Sequence, residues 1–336
     1  MKWLNAFSFA AGYSLIASAL IHMMPPVRPS QLGAKLDWLA DNGARFDTFF
    51  IGSSRVHRQT VPEIFDAEMA THGLKTSSYN LAGDGMRPPE DEFVMEHAFA
   101  NRTAPVRLLL VECNFVELKI PDGDAGTSRA IYWHDSARMK RLWRCCWSSG
   151  PGFTVSDYAT RAWKGVRQFP AHIQHWIWNS GRLGLGNDLL TATFLGAPPR
   201  DDTRELGAFG YRPPKAVPPM NGSALRDYEK DLAAVKKNPP QHSTEDYESQ
   251  AALAWKKKLA EKLGARLILI ASPYPKSKTF APRDNITFLD FSDPNRYPEL
   301  YVPEHRRDHG HLNVRGSEIY TRHIARQIAE ALKPQP

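Results

Sequence analysis

Residues 46–55 read Phe-Asp-Thr-Phe-Phe-Ile-Gly-Ser-Ser-Arg. A short apolar run, Phe46 to Ile51, stops at a glycine followed by two hydroxyls and a cation. Such a run bounded by a turn residue is the pattern of a strand buried on both faces. The next segment has a different period. Val61 to His72 carries Ile64, Phe65 and Met69 at helical spacing, opens with Pro62 and ends before Gly73, which predicts a helix. Ser77 to Ala82 predicts a second strand. Pro88 to Arg102 predicts a second helix, with Pro89, Glu90, Asp91 and Glu92 in its first turn, where acids complement the helix dipole. Val106 to Cys113 is continuous enough to be a third, central strand.

The alternation breaks over residues 120–242. Six of the nine tryptophans lie there: Trp133, Trp143, Trp147, Trp163, Trp176 and Trp178. Prolines are frequent and no strand ladder is visible. This stretch reads as a helical and irregular insertion that ends in linker-like segments around Pro213–Pro219 and Pro239-Pro240. Alternation then resumes. Ser243 is placed to cap a helix running to Leu263, with Gly264 after it. Arg266–Ala271 and Ile286–Phe291 predict two more strands. Arg315–Leu332 predicts a last helix with Ile319, Tyr320, Ile324 and Ile328 on one face. Buried strands alternating with helices imply an α/β fold, a doubly wound parallel sheet of three layers in the flavodoxin-like manner. The segmentation is therefore 1–26 as an N-terminal membrane segment, 27–119 and 243–336 as the two parts of the α/β domain, and 120–242 as the insertion.

The N-terminal segment is nearly all apolar or small from Trp3 to Met24, with no charge between Lys2 and Arg28. About 20 such residues suffice for a transmembrane helix, and Pro25-Pro26 would stop it. A signal peptide cleaved near Ala17-Ser18-Ala19 competes with an uncleaved anchor. The run continues through Leu20, Ile21, Met23 and Met24, which favours the anchor. Either way the remainder of the chain is expected outside the cytoplasm, at the periplasmic face of the inner membrane. The formal net charge of +7 suits an anionic membrane surface or an acidic polymer, and no zinc-finger spacing or other nucleic-acid signature accompanies it. Cys113, Cys145 and Cys146 are an odd set with two adjacent members, not a disulfide framework. Cys113 ends an apolar run and reads as a buried thiol.

In a doubly wound sheet, ligands sit outside the carboxyl ends of the strands. Four loops qualify. After strand one stands Gly52-Ser53-Ser54-Arg55, where a hydroxyl at a helix start can meet backbone N–H groups; a plain N-cap is the competing reading. After strand two stands Asn80-Leu81-Ala82-Gly83-Asp84-Gly85, whose glycines allow close backbone approach or simply make a tight turn. Strand three is followed by Asn114, a candidate amide donor or a turn residue. After strand five stand Asp308, His309, Gly310 and His311. An aspartate and a histidine three apart can pair, the carboxylate orienting one ring nitrogen while the other takes a proton from a nucleophile. The cluster His305, Asp308, His309 and His311 also admits a metal reading, but lacks a second ligand group at metal-site spacing; neither metal nor cofactor is expected.

Taken in order, these four loops resemble the blocks of the SGNH (GDSL-like) hydrolase family over roughly residues 46–115 and 244–332. Gly52-Ser53-Ser54 is similar to the family's Gly-Asp-Ser block with Ser53 in place of the aspartate. Asn80 and Gly85 resemble its second block. Of the third, Gly-x-Asn-Asp, only Asn114 remains. Asp308 and His311, followed by Leu312, match the final Asp-x-x-His block. The resemblance implies Ser54 as nucleophile, His311 as base and Asp308 as its orienting acid. It implies an oxyanion hole made of the Ser54 and Gly85 N–H groups and the Asn114 side chain. The Ser-Ser-Arg variant behind an apolar N-terminus looks most like the exported proteins that acylate cell-surface polymers, in alginate O-acetylation and teichoic-acid D-alanylation. That branch implies a polysaccharide substrate and a membrane-bound O-acyltransferase partner. Arg55 and Arg58 are candidates for steering an anionic polymer. The tryptophans of the insertion are candidates for stacking on sugars, against ordinary packing, and Arg141, Arg144 and Trp147 are candidates for lying against the membrane surface instead. Two other classes remain open: a catalytically silent scaffold that binds glycan or a membrane partner, and a cytosolic lipase-like hydrolase.

Overall fold

A computed structural model describes residues 2–23, 30–120, 124–147, 154–180, 209–214, 220–242, 246–276, 280–283 and 285–333. Pro25-Pro26, Ser243 and residues 215–219 lie outside the described residues. The chain divides into two compact units, residues 1–34 with 117–203, and residues 35–116 with 204–336. The reading of 120–242 as one insertion therefore covers residues of both units.

Two helices precede the sheet, α1 (Lys2–Met23) and α2 (Ser30–Asn42). The sheet and its helices follow as β1 (Thr48–Ile51), α3 (Ser54–His57), α4 (Pro62–Thr71), β2 (Ser78–Asn80), α5 (Glu90–Phe99) and β3 (Leu108–Glu112). Then come α6 (Ser128–Tyr132), α7 (Ser136–Trp147), α8 (Val155–Ser180), α9 (Gly222–Lys237), α10 (Tyr247–Leu263), β4 (Arg266–Ala271), β5 (Thr287–Asp290) and α11 (Val314–Leu332). All five expected strands form, each within the span that its apolar run predicted. They pair in parallel in the order β2-β1-β3-β4-β5.

The four residues of β1 are all buried, as the continuous run requires. Phe50 meets Phe65 of α4 edge-on at 5.0 Å, and Phe49 meets Phe99 of α5 in the same way at 5.0 Å. Neighbouring strand residues point to opposite faces, so α4 and α5 cover opposite sides of the sheet. On the α4 side, α11 presses Tyr320, Ile324, Ala325 and Ile328 into a core shared with Phe50, Phe65, Leu110 and Ile270. Glu68 of α4 joins the two helices through Arg322 and Arg326 at 2.8 and 2.7 Å. Tyr228 of α9 is fully buried in the same unit and donates to the Tyr301 carbonyl. Gly264 closes α10 at φ 68°, a left-handed cap that glycine adopts without steric cost. Cys113 is a buried free thiol.

Two expectations find no support among the described residues. The helix expected to start at Ser243 is first seen at Tyr247, with Asp246 in the cap position. The N-terminal segment is a helix of 22 residues, long enough at about 1.5 Å per residue to cross a bilayer. Yet no helix among the described residues is both long and apolar enough to cross a membrane. Helix α2 was not foreseen, although Leu32, Leu36 and Leu39 stand at i, i+4 and i+7.

Candidate functional site

The strand order reverses at β1, which has β2 on one side and β3 on the other. In doubly wound folds the crevice beyond the strands' carboxyl ends at such a reversal is where ligands sit. Ser54 leaves β1 there, and Asn114 leaves β3.

Gly52 makes the turn possible. A Cβ on it would lie 2.6 Å from both Glu112 Cβ and Val56 Cγ2, so any side chain would push the two strand ends apart. The serines then divide two tasks. Ser53 is the N-cap of α3, its hydroxyl accepting from the Arg55 N–H at 3.4 Å. Ser54, half-buried, turns its hydroxyl to His311: Ser54 Oγ and His311 Nε2 are 2.8 Å apart. His311 Nδ1 faces both oxygens of Asp308, at 2.9 and 3.1 Å. Because a carboxylate only accepts, Nδ1 carries a proton and donates, leaving Nε2 to accept from the serine hydroxyl.

Asp308 is itself held by the N–H groups of Gly310 and His311 at 2.8 and 2.9 Å. Burial would raise its carboxyl. The hydrogen bond and charge of His311 and the two N–H groups outweigh that and hold it down at about 2. Asn313 caps α11 through the Gly316 N–H at 3.0 Å, and Leu312 is fully buried. The loop that presents His311 is thus anchored on both sides of the histidine.

Beneath the serine turn lies a carboxylate that sequence reasoning did not single out. Glu112, at the end of β3, is buried, accepts the Ser53 N–H at 2.7 Å and pairs with Arg55 Nε at 3.0 Å. Burial pushes its carboxyl up, but the charge of Arg55 and hydrogen bonds from Ser53 and Asn114 bring it below the ordinary value. Arg55 continues to the Asn114 carbonyl oxygen at 3.2 Å, and its guanidinium lies over the Tyr274 ring at 5.2 Å from the centroid. The oxygen end of the Asn114 amide is therefore engaged by Arg55. A charged residue closing an otherwise apolar strand was the signal for Glu112.

The second loop is held from below. The buried Lys35 ammonium donates to the Asn80 and Ala82 carbonyls at 2.8 and 2.5 Å. Burial drives its pKa well below the ordinary value, a shift that Asp84 opposes and Arg212 assists. The Asn80 amide donates to the Val56 and Thr60 carbonyls at 3.0 and 2.9 Å, so it fastens the β1 turn to β2 and is a structural residue. Asp84 gathers Arg58, Arg212 and the Nδ1 of His57. Burial raises the Asp84 carboxyl, yet hydrogen bonds from Arg58 and His57 leave it well below the carboxylate range. Gly85 follows, exposed, at φ 68°.

The structure thus joins Ser54, His311 and Asp308 in one hydrogen-bonded line, and places Arg55 and Asn114 side by side around Glu112. Arg58, expected to steer substrate, is committed to Asp84. The histidines of the last loop diverge: His305 Nδ1 faces the Glu299 carbonyl at 2.6 Å, and His309 Nε2 faces Asp231 at 2.7 Å. Among the described residues no group of three or more His, Cys, Asp or Glu side chains is arranged to hold a metal ion. No protein-family model matches the chain, and no curated protein is found similar to it.

Proposed function

We propose that this chain is an SGNH-type serine esterase or acyltransferase that acts on ester-linked acyl groups, acetyl groups first among them, of a surface polysaccharide. The supporting observation is the line Ser54 Oγ–His311 Nε2–Asp308, with separations of 2.8 and 2.9 Å. His311 Nε2 takes the Ser54 proton as Oγ attacks the ester carbonyl, and Asp308 stabilises the imidazolium that forms. The C–O bond to the alcohol breaks, His311 returns the proton to that oxygen, and an acyl-Ser54 ester remains. Water or a sugar hydroxyl then repeats the cycle in reverse order, giving hydrolysis or transfer. The Ser54 and Gly85 N–H groups and the Asn114 amide are the candidate donors to the oxyanion, each worth about 10²–10³ in rate in comparable sites.

The test is labelling by a fluorophosphonate probe. Wild type is expected to react and Ser54→Ala to stay unlabelled; equal reaction of both refutes Ser54 as nucleophile. The polysaccharide, the membrane-bound O-acyltransferase partner and the extracytoplasmic location at the inner membrane rest on the sequence resemblance. Co-purification and membrane fractionation test them.

A second reading, a catalytically silent scaffold for glycan or a membrane partner, draws on one observation: the oxygen of the Asn114 amide is taken up by Arg55. Partner capture without any hydrolysis of p-nitrophenyl acetate would favour it.

A further inference from the structure

The unit formed by residues 1–34 and 117–203 contains a helix whose polarity is inverted. A surface helix in water buries an apolar stripe and exposes a polar one. In α8 the buried flank carries His172 and His175, each almost wholly out of solvent. His172 Nε2 is bound to the Leu118 carbonyl at 2.7 Å, and His175 Nε2 accepts the Gly126 N–H at 3.1 Å. The outward flank carries Val155, Trp163, Val166, Ile173, Trp176 and Ile177, all exposed, with Trp163 at 64%. At 3.6 residues per turn these six side chains fall within an arc of about 140° along the helix. Exposed apolar surface of that extent on one face marks a contact with a partner or a lipid phase.

Helix α7 extends the same face. Trp143 packs edge-on against Phe169 of α8 at 5.3 Å and lies tilted beside Trp147 at 5.3 Å, while the two indoles remain 52% and 43% exposed. Lys140 and Arg144 are exposed on that side of α7, at the i, i+3, i+4 and i+7 positions shared with Trp143 and Trp147. Arg167 is exposed at the edge of the α8 arc. Indoles and aliphatic side chains bordered by cations are the composition of helices that lie in the headgroup region of an anionic bilayer. In the same unit, α1 leaves Trp3, Phe7 and Phe9 more than 70% exposed, a second apolar surface open to solvent.

We infer that the outward face of α7 and α8 docks on the surface of an anionic phospholipid bilayer, with Trp143, Trp147, Trp163 and Trp176 at the depth of the headgroups and Lys140 and Arg144 at the lipid phosphates. A second copy of the chain is the poorer occupant, because a two-fold contact through this face would bring the same cations together. The inference is independent of the serine chemistry: a chain with no esterase activity would still dock.

The experiment is flotation of the full-length chain with phosphatidylcholine vesicles, with and without phosphatidylglycerol. Wild type is expected to bind the phosphatidylglycerol vesicles more tightly, and less so at high salt. The pair Trp163→Ser with Trp176→Ser is expected to weaken binding to both vesicle types at least ~10-fold. The pair Lys140→Glu with Arg144→Glu is expected to abolish the preference for phosphatidylglycerol while leaving residual binding to neutral vesicles. Circular dichroism verifies folding; should the serine pair misfold, the glutamate pair carries the test alone. Unchanged binding by the folded variants overturns the inference, as does wild type that ignores vesicles. So does a concentration-dependent dimer that the serine pair dissolves.

Discussion

The Ser53 backbone N–H donates to Glu112 Oε2 at 2.7 Å, across 59 residues of chain. The proposed nucleophile is therefore seated on a carboxylate that never touches it, and Arg55 at 3.0 Å balances the buried charge. Removing one partner of a buried ion pair typically costs about 3–5 kcal/mol. Glu112→Ala is expected to lower the melting temperature by several degrees and to impair fluorophosphonate labelling. Glu112→Gln, which keeps the shape and can still accept from Ser53, is expected to retain labelling at a rate reduced about tenfold. Thermal unfolding and labelling rates together check it, and an active, fully stable Glu112→Ala would refute the seating role.

Asp308 fixes the proton of His311 on Nδ1. Asp308→Asn removes the charge that stabilises the imidazolium and permits the wrong tautomer. It is expected to lower kcat for p-nitrophenyl acetate by about 10³–10⁴ with little change in KM. Asparagine keeps an oxygen for the Gly310 and His311 N–H groups, so the melting temperature is expected to stay close to wild type.

Asp84 is a positioning residue in the proposed mechanism, since it anchors the loop that presents Gly85 to Arg58, Arg212 and His57. Asp84→Asn is expected to lower kcat by about 10², the usual cost of one displaced oxyanion donor. Its stability effect should depend on pH. The folded carboxyl lies below its unfolded value, so its contribution is present above that value and disappears as pH falls through the folded pKa. The stability gap between wild type and Asp84→Asn is therefore expected at neutral pH and to close in acid, as unfolding curves at several pH values would reveal.

Gly52→Ala places a methyl 2.6 Å from Glu112 Cβ and Val56 Cγ2. Overpacking of this kind costs about 1–3 kcal/mol. The variant is expected to melt lower than wild type and to label poorly, because the displaced turn carries Ser54; a normally stable, normally labelled Gly52→Ala would contradict the close approach.

The histidines of the other unit set an acid limit. Burial, with help from Arg138, pushes His134 down to about 2 and His172 down to about 4. Unfolded, both titrate near 6.5, so below that pH the unfolded chain binds more protons than the folded one. Stability contributed by their neutral forms is complete above about pH 6.5 and is lost as pH falls toward 4, by roughly 1.4 kcal/mol per pH unit for each histidine. Melting temperature followed across that range is expected to fall steeply for wild type and less steeply for His172→Gln.

The strands were legible because burial on both faces leaves an uninterrupted apolar run, and β1, β3 and β4 are nearly all apolar. Helices α4, α10 and α11 were legible from their punctuation, Pro62, Gly264 and the spaced isoleucines before Leu332. Ser54, Asp308 and His311 were legible because a parallel sheet brings the ends of its strands to one edge whatever the intervening length. Glu112 at the end of an apolar strand and Lys35 in a mixed helix were not singled out, since a charged residue looks the same in sequence whether it reaches solvent or a buried partner. The partner of Arg58 was not legible for the converse reason: a cation beside a nucleophile suggests substrate, while the carboxylate it pairs with, Asp84, lies 26 residues away.

Local periodicity is a property of neighbouring residues, and hydrophobic burial is nearly non-directional, so the chain alone determined the five strands, the parallel sheet and the loops at which chemistry could gather, but not α2 or the helices between β3 and α10. Hydrogen bonds and ion pairs are directional and short. Which hydroxyl of Ser53 and Ser54 faces the imidazole 257 residues away, what carries the buried charge of Glu112, and which side of α8 meets solvent were decided only when packing set the side chains to within an ångström of their partners.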